Sequence, residues 1–355
     1  MTKTDDVLFS VLPGRDGDLG IITLNRPSAL NALNHAMTSG MYATLRQWET
    51  DSSIKAVVIC AAEGRAFCAG GDLRLTYQRC LAHDANMTEF FREEYYLNHC
   101  IYHYSKPYIA LLDGITFGGG VGISIHGSHR IATERLLFAM PETGIGFFPD
   151  VGGCYFLPRL PGYLGFYLGL TGARITSDDC VALGITQHKV LHDTLPALVI
   201  ALAQQSFGRD PRADVSQVIE QFNVQVNPSA LIEQRALIDD CFSLATMEEI
   251  LSALQQTSQP FAKDTAAILS QKSPTSLTVS LRALQQGAEL DFDACLQQDY
   301  RLATRFLLGH DFPEGIRAVI IDKDQTPHWE PSTLKAVVAT DIQKYFSPLS
   351  KELFK

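Results

Sequence analysis

The sequence has no apolar run of about 18 residues, so it contains no candidate transmembrane helix. It also has no excess of basic charge, because 29 Lys and Arg stand against 39 Asp and Glu and give a formal net charge of -10. This balance excludes broad electrostatic attraction to nucleic acid or to an anionic membrane. The first ten residues include Asp5 and Asp6 and lack the apolar core of a signal peptide. We therefore expect an unexported, cytoplasmic protein without nucleic-acid or membrane partners.

The sequence also lacks the motifs of several other kinds of site. None of its eight cysteines forms a Cys-x-x-Cys pair, which is typical of reduced, buried thiols and not of a disulfide framework. His99 and His103 have the spacing of a zinc pair, but no third ligand is indicated nearby, so we predict no metal site. No P-loop occurs, and no Gly-x-Gly-x-x-Gly motif opens a helix after the first strand.

Two glycine-rich stretches are the most informative feature that is present. They occupy residues 67–72 and 114–122, and each lies just beyond an apolar run. Such turns can direct two backbone N–H groups at one oxygen, since glycine lets the main chain approach a ligand. A thioester carbonyl becomes more negative as it is attacked or enolised, and each preorganised donor there contributes about 2.7 to 4 kcal/mol to lowering the barrier.

The first 190 residues or so alternate between strand and helix patterns. Residues 7–12 and 20–24 flank a polar Gly- and Asp-containing turn and predict a hairpin. Asn34 is a predicted N-cap for a helix through Trp48, and residues 54–61 predict a strand buried on both faces. The same unit recurs in a helix at 88–104, a strand at 108–112, a helix from the glycine cluster to about 127, a strand at 130–133 and a capped helix at 171–184. This order predicts an α/β layered core.

Strand patterns nearly vanish beyond residue 195. Helical periodicity is found instead at 216–222, 228–242, 246–256, 262–270, 276–287 and 292–308. We therefore predict a catalytic core at 1–195 and a mostly helical region at 196–355 that packs on it.

Several motifs follow one another in an order that resembles the crotonase (enoyl-CoA hydratase/isomerase) superfamily. They are Asn25-Arg26-Pro27 with Asn31-Ala32-Leu33, then Ala66-Phe67-Cys68-Ala69-Gly70-Gly71-Asp72, then Gly118-Gly119-Gly120. Further motifs resemble, within that superfamily, the 3-hydroxyisobutyryl-CoA hydrolase family. They are Phe90-Phe91-Arg92-Glu93-Glu94-Tyr95, Ala139-Met140-Pro141-Glu142-Thr143, Phe148-Pro149-Asp150-Val151-Gly152-Gly153, Gly309-His310-Asp311-Phe312, Glu314-Gly315-Ile316-Arg317-Ala318 and Asp322-Lys323-Asp324. The resemblance covers nearly the whole chain and implies a spiral of ββα units with a mostly helical C-terminal region.

The resemblance implies where an acyl-CoA would bind. The two oxyanion-hole amides of the superfamily correspond to Gly71 and Gly119. The nucleotide would lie near Arg26, the loop with Ala29 and Leu30, and the turn formed by Ala69, Gly70 and Asp72. Arg26 could instead hold its own turn through a carboxylate. Coenzyme A is part of the substrate, so no separate cofactor is expected.

The carboxylates indicate which reaction to expect. In the hydratases of the superfamily two glutamates flank the substrate; here the first of these positions is Gly122 and the second is Glu142. A new carboxylate, Asp150, stands where hydratases tend to carry glycine, and it follows two aromatic residues that should desolvate it and raise its pKa. This pattern favours attack at the thioester carbonyl over hydration at the β-carbon.

Each carboxylate has more than one role open to it. Glu142 could activate water as a base or attack as a nucleophile through a mixed anhydride. Asp150 could act as acid or base or bind a 3-hydroxyl group. Glu94 is either a substrate contact, as the resemblance implies, or part of the charged surface of a helix.

Three functions remain open at this stage. The preferred one is hydrolysis of 3-hydroxyisobutyryl-CoA, or of a similar short 3-hydroxyacyl-CoA, to free CoA and the hydroxy acid, which the resemblance implies in valine catabolism. The second is hydration or isomerisation of an enoyl-CoA, which Gly122 disfavours. The third is noncatalytic binding of an acyl-CoA. Superfamily members often form trimers, so a homo-oligomer is also considered.

Overall fold

The computed structural model describes residues 5–354. Ten strands occur in this part of the chain. They are β1 (Val7–Leu12), β2 (Asp18–Leu24), β3 (Ile54–Ala61), β4 (Ala66–Cys68), β5 (Tyr108–Leu112), β6 (Ile115–Phe117), β7 (His129–Thr133), β8 (Leu137–Ala139), β9 (Ile175–Thr176) and β10 (His188–Val190). They form a six-stranded sheet in the order β1-β2-β3-β5-β7-β10 and a four-stranded sheet in the order β4-β6-β8-β9.

The helices are more numerous and lie mostly in the second half of the sequence. They are α1 (His35–Thr50), α2 (Leu73–Leu81), α3 (Glu89–Tyr102), α4 (Gly119–Gly122), α5 (Gly153–Phe156), α6 (Leu164–Thr171), α7 (Ser177–Ala182), α8 (Leu195–Gln204), α9 (Pro211–Glu220), α10 (Ala230–Glu233), α11 (Arg235–Phe242), α12 (Met247–Gln256), α13 (Pro260–Ser270), α14 (Pro274–Gly287), α15 (Phe292–Leu308), α16 (Asp311–Ile316) and α17 (Ala339–Phe346). Between residues 5 and 354 no helix combines the length and the apolar character needed to cross a bilayer.

Contacts divide the described chain into two compact units. Unit 1 comprises residues 5–71, 96–138 and 175–229, and unit 2 comprises residues 72–95, 139–174 and 230–354. This division does not follow the predicted boundary at residue 195, because α8 and α9 pack on the six-stranded sheet of unit 1. Leu198, Leu202 and Val215 of these helices share a buried cluster with Ile109 and Ile131 of the sheet.

Unit 1 holds both sheets, and most of its predicted elements are confirmed. β1 and β2 pair antiparallel as the predicted hairpin, and β2, β3, β5, β7 and β10 continue in parallel. The bounds of β3 and β5 agree with the prediction. Asn34 caps α1, since its side chain accepts a hydrogen bond from the N–H of Met37.

Two predicted helices are wrong in extent. The helix expected from the glycine cluster to about residue 127 is the four-residue α4, because a run of glycines has low helix propensity. The single helix expected at 171–184 is instead the end of α6, the strand β9 and α7. Thr176 caps α7 through a reciprocal pair of hydrogen bonds with Asp179.

Unit 2 is mostly helical, as predicted for the C-terminal region. α15 has the predicted bounds, α12 lacks only its first predicted residue, and Thr246 caps α12. The short helices α2, α5, α16 and α17 were not predicted. The unit also contains a 3-10 turn at Glu142–Ile145 and a turn of π-helix at Arg317–Ile321.

Candidate active site

The two glycine turns of unit 1 follow neighbouring strands. β4 and β6 are parallel partners, with Ala66 opposite Ile115, so the turns after them leave the same edge of the sheet. Gly70 has a φ of 110°. A Cβ atom at Gly70 would lie 3.5 Å from the Phe117 oxygen and 3.8 Å from the Gly119 nitrogen. The structure therefore brings the two turns together, and the positive φ at position 70 is what favours glycine there.

The backbone donors predicted for the oxyanion hole are at Gly71 and Gly119. Gly71 forms a bridge with Leu33, in which the Leu33 N–H donates to the Gly70 oxygen at 2.8 Å and the Gly71 N–H takes no part. Gly119 is the first residue of α4, where an N–H group has no acceptor within its own helix. The catalytic role of both amides stays a prediction.

The loop at 26–33 supports the first glycine turn. The amide of Asn31 donates to the oxygens of Ala66 and Phe67 at 3.0 and 3.1 Å, and the Ala69 N–H donates to the Leu30 oxygen at 3.0 Å. Arg26 donates from Nη1 to the Ala32 oxygen at 3.0 Å. Its Nε lies 4.0 Å from Asp6 Oδ2, so Arg26 helps to hold its own turn through a carboxylate and a carbonyl.

Unit 2 buries all three of the predicted carboxylates. The exposed fractions are 2% for Glu94, 6% for Glu142 and 5% for Asp150, so none of them is a solvated surface charge. Glu94 Oε1 and Glu142 Oε2 have no hydrogen-bond partner among residues 5–354. Buried polar atoms are normally paired, and these two oxygens are therefore candidates to contact a ligand.

Burial dominates the ionisation of this cluster. It raises the pKa of Glu94 and of Glu142 well above their ordinary values, and negative charge on Asp150 raises both further. Burial also raises the pKa of Asp150 to about 7, while the hydrogen bond from Tyr95 opposes this shift. Asp150 is thus poised to exchange a proton near neutral pH, and burial favours the protonated forms of Glu94 and Glu142.

Glu142 lies on a tight turn that aromatic residues surround. The 3-10 turn Glu142–Ile145 ends at Gly146, which has a left-handed φ of 67°, and the Phe147 N–H donates to the Glu142 oxygen at 3.0 Å. Phe147 stacks on Phe312 with ring centroids 4.2 Å apart and also contacts Phe91. The side chain of Glu142 is 6% exposed, and this burial accounts for the raised pKa of its carboxyl group.

Asp150 lies on a second tight turn. The main-chain oxygen of Asp150 accepts a hydrogen bond from the Gly153 N–H at 2.7 Å. The two residues between them, Val151 and Gly152, have φ values of 51° and 80°. Tyr95 donates from its hydroxyl to Asp150 Oδ2 at 2.7 Å. The carboxylate is therefore held in one orientation by a hydroxyl donor.

Three further residues of this cluster were missed in the sequence. Tyr95 follows Glu94 directly, and this adjacency was the available signal. Asp299 lies among the apolar positions of α15 at helical spacing from Cys295 and Leu302, which marks a buried acid. Lys272 places its Nζ 3.2 Å from where a Cβ of Gly144 would lie, and its positive charge lowers the pKa of Glu142. No local pattern marks Lys272.

Comparison with known proteins agrees with this arrangement. Residues 19–346 match the family described as enoyl-CoA hydratase/isomerase. The chain belongs to this family. The predicted family is thereby confirmed, and so is the predicted fold class.

Two curated relatives that match nearly the whole chain share one name, "3-hydroxyisobutyryl-CoA hydrolase, mitochondrial". The relative from Rattus norvegicus is 45% identical over 362 residues, which cover 100% of this chain and 92% of the relative. The relative from Xenopus laevis is 46% identical over 342 residues, which cover 96% of this chain and 89% of the relative.

Two solved structures are similar over nearly the whole chain. A carnitinyl-CoA dehydratase from Mycobacterium thermoresistibile is 38% identical with a TM-score of 0.91, and 99% of this chain and 98% of that chain are covered. An enoyl-CoA hydratase from Rhodobacter sphaeroides 2.4.1 is 37% identical with a TM-score of 0.88, and the coverage is 97% and 98%. The names of the relatives thus differ in reaction, but each refers to a CoA thioester.

Proposed function

We propose that this protein hydrolyses the thioester of 3-hydroxyisobutyryl-CoA, or of a similar short 3-hydroxyacyl-CoA, and releases free CoA and the hydroxy acid. The observation that carries the proposal is the pair of buried acids Glu142 and Asp150, in a chain that has Gly122 where hydratases of the superfamily carry a glutamate. The shared name of the curated relatives supports the same reaction.

In the proposed mechanism, the N–H groups of Gly71 and Gly119 hold the thioester oxygen as it becomes negative. Two such donors are worth about 2.7 to 4 kcal/mol each in the transition state. They are uncharged and belong to the main chain, so their contribution does not depend on protonation.

Glu142 supplies the chemistry at the carbonyl carbon by one of two routes. As a base it takes a proton from water, whose oxygen attacks the carbon while the C–S bond breaks. As a nucleophile its own oxygen attacks, the C–S bond breaks, and water then opens the mixed anhydride. Both routes need the ionised carboxylate, so the rate should rise with pH as Glu142 loses its proton.

Asp150 and Glu94 complete the proposed site. With a pKa of about 7, Asp150 is present in both protonation states near neutrality, which suits a group that protonates the leaving thiolate. It could alternatively accept a hydrogen bond from the 3-hydroxyl. Glu94 Oε1, which lacks a partner among the described residues, is proposed to contact the substrate.

The CoA moiety is proposed to bind near Arg26, Ala69, Gly70 and Asp72. Arg26→Ala should then raise KM for the CoA thioester and leave hydrolysis of the corresponding pantetheine thioester unchanged, because the truncated substrate lacks the nucleotide. Equal losses with both substrates would show that Arg26 acts only by holding its turn.

The decisive experiment incubates the purified protein with 3-hydroxyisobutyryl-CoA and follows free thiol. Prompt release of thiol with formation of the hydroxy acid supports the proposed hydrolysis. Formation of an unsaturated thioester without thiol would support the second candidate, the hydratase reaction, which the names of the two solved structures favour. No turnover would support noncatalytic binding.

The cellular setting is also a proposal. We place the reaction in valine catabolism and the protein in the cytoplasm, whereas the names of the curated relatives include the word mitochondrial. Fractionation of the source cells, with thiol-release activity as the marker, decides the compartment. A homo-oligomer is likewise proposed and is tested by sedimentation equilibrium.

A further inference from the structure

Three consecutive buried or half-buried residues of α15 bind three different parts of unit 2. Gln298 donates to the Ala283 oxygen of α14 at 3.2 Å. Asp299 Oδ2 accepts from the Gly152 N–H at 2.8 Å, and the Tyr300 hydroxyl accepts from Arg92 Nη2 of α3 at 3.0 Å. Side chains of α15 thus reach both the turn that carries Asp150 and the helix that carries Tyr95.

The turn that carries Asp150 needs such a restraint. Val151 has a φ of 51°, which is unfavourable for a β-branched residue, and Gly152 follows with a φ of 80°. A residue held in this conformation persists only where the surrounding structure fixes it. The fully buried carboxyl group of Asp299 on α15 accepts a hydrogen bond from the Gly152 N–H and thereby restrains this turn.

We propose that Asp299 is a positioning residue that holds the Asp150 turn so that the Asp150 carboxyl group meets the Tyr95 hydroxyl. The inference deepens the proposed hydrolase function and rests on it for the catalytic role of Asp150. Asp299 itself is 0% exposed and acts through Gly152, which makes it distinct from the acids that are proposed to contact the substrate.

The charged groups around Asp150 give the expected direction of a pH effect. Glu94 and Tyr95 belong to α3, Glu142 to the neighbouring 3-10 turn and Asp299 to α15, and Lys272 acts on Glu142. Burial, and then the charge of Asp150, raises the pKa of Asp299 well above its ordinary value, which favours the uncharged form of Asp299. The amide of Asn can replace an uncharged carboxyl group, because its oxygen also accepts from the Gly152 N–H.

The test compares Asp299→Leu and Asp299→Asn with the matched control Gln298→Leu. The two positions are neighbours on one helix, both are buried, and each makes one hydrogen bond to a backbone group. We expect Asp299→Leu to lower kcat about 100-fold with little change in KM, since a shift of about 1 Å in a reacting group has an effect of this size. We expect Asp299→Asn to stay within about threefold of the wild type.

The pH profile separates positioning from mere stabilisation. The hydrogen bond from Tyr95 lowers the pKa of Asp150, and Asp299→Leu should break this bond by releasing the turn. The part of the pH–rate profile that reports the titration of Asp150 should therefore move to higher pH. Gln298→Leu should lower the melting temperature but leave kcat and the pH–rate profile unchanged. If Asp299→Leu also lowers only the melting temperature, the positioning role is refuted.

A titration of Asp150 without substrate tests the positioning role of Asp299 independently of the proposed hydrolase function. The C=O stretch of protonated Asp150, identified by infrared difference against Asp150→Asn, gives the titration midpoint of this one group in each variant. If the wild type fails to hydrolyse 3-hydroxyisobutyryl-CoA, the proposed function fails, and the midpoints still decide the structural role. A higher midpoint in Asp299→Leu than in Gln298→Leu supports the restraint, and equal midpoints overturn it.

Discussion

The two units of the molecule carry different kinds of groups that are predicted for the active site. Unit 1 presents main-chain groups: the glycine turns after β4 and β6 are brought together by strand pairing, and their predicted donors carry no titratable proton. Unit 2 presents side chains: Glu94, Glu142 and Asp150 are buried, and burial sets their pKa values. Changes in unit 1 should therefore alter the rate at every pH, whereas changes in unit 2 should alter how the rate depends on pH.

The largest effect is expected from Glu142→Gln. The substitution keeps the size of the side chain but removes the base or nucleophile, so kcat should fall about 1000-fold, within the range known for a catalytic acid or base. The measurement is thiol release from 3-hydroxyisobutyryl-CoA. Asp150→Asn is the comparison and should lose less. A full rate in Glu142→Gln together with a large loss in Asp150→Asn would reverse the order of importance proposed for the two acids.

Removal of one backbone donor in unit 1 should have the next largest effect. Proline is tolerated at the first position of a helix, where Gly119 lies, and it lacks the N–H group. Gly119→Pro should therefore lower kcat about 100-fold, the lower end of the range for one oxyanion donor. The fold-change should be equal at all pH values. Gly119→Ala keeps the donor and is the control; if both variants lose the same rate, the added carbon and not the lost donor is responsible.

A smaller effect, and one confined to unit 2, is expected from Tyr95→Phe. The variant loses the hydroxyl that donates to Asp150 Oδ2 at 2.7 Å and keeps the ring. A hydrogen bond to a charged group is worth about 1.5 to 3 kcal/mol, so the pKa of Asp150 should rise above about 7 by roughly one to two pH units. The rate profile should shift by that amount. An unshifted profile would show that the bond does not control this acid.

The same contrast explains what could be predicted from the sequence. In unit 1 the continuous apolar runs of β3 and β5 and the Asn34 cap of α1 are local signals, and these elements were predicted with good bounds. The glycine turns were recognised because their residue types are unusual. The extent of α4 was overestimated, since glycine has low helix propensity and the helix ends at Gly122.

In unit 2 the acids were recognised through family motifs, and their environment could not be read locally. Tyr95 and Asp150 are 55 positions apart, and Gly152 and Asp299 are 147 positions apart. Whether Glu94 is a surface charge or a buried acid depends on such distant packing. A single sequence shows an acid on a helix but not which segment covers it, so Asp299 escaped notice.

The smallest effect is expected in the pH dependence of stability, where the two units should act in opposite directions. In unit 2 the pKa of Asp150 is raised in the folded state from 3.8 to about 7. Its stabilising contribution is complete below pH 3.8 and is lost as the pH rises through about 7. Over this range the folded state keeps a proton on Asp150 that the unfolded state has already lost, and this difference costs more free energy as the pH rises. In unit 1 burial lowers the pKa of His129 from 6.5 to about 4. Its contribution is complete above pH 6.5 and is lost as the pH falls through about 4.

Near pH 5.5 each group therefore changes the free energy of unfolding by about 1 kcal/mol per pH unit, with opposite signs. Asp150→Asn should make stability rise more steeply with pH in this range, and His129→Gln should make it rise less steeply or fall. Urea unfolding at several pH values measures both slopes, and only the change in slope matters, because either variant also changes the overall stability. Slopes that change in the same direction would mean that burial does not raise the pKa of the acid in unit 2, and the contrast between the units would then be lost.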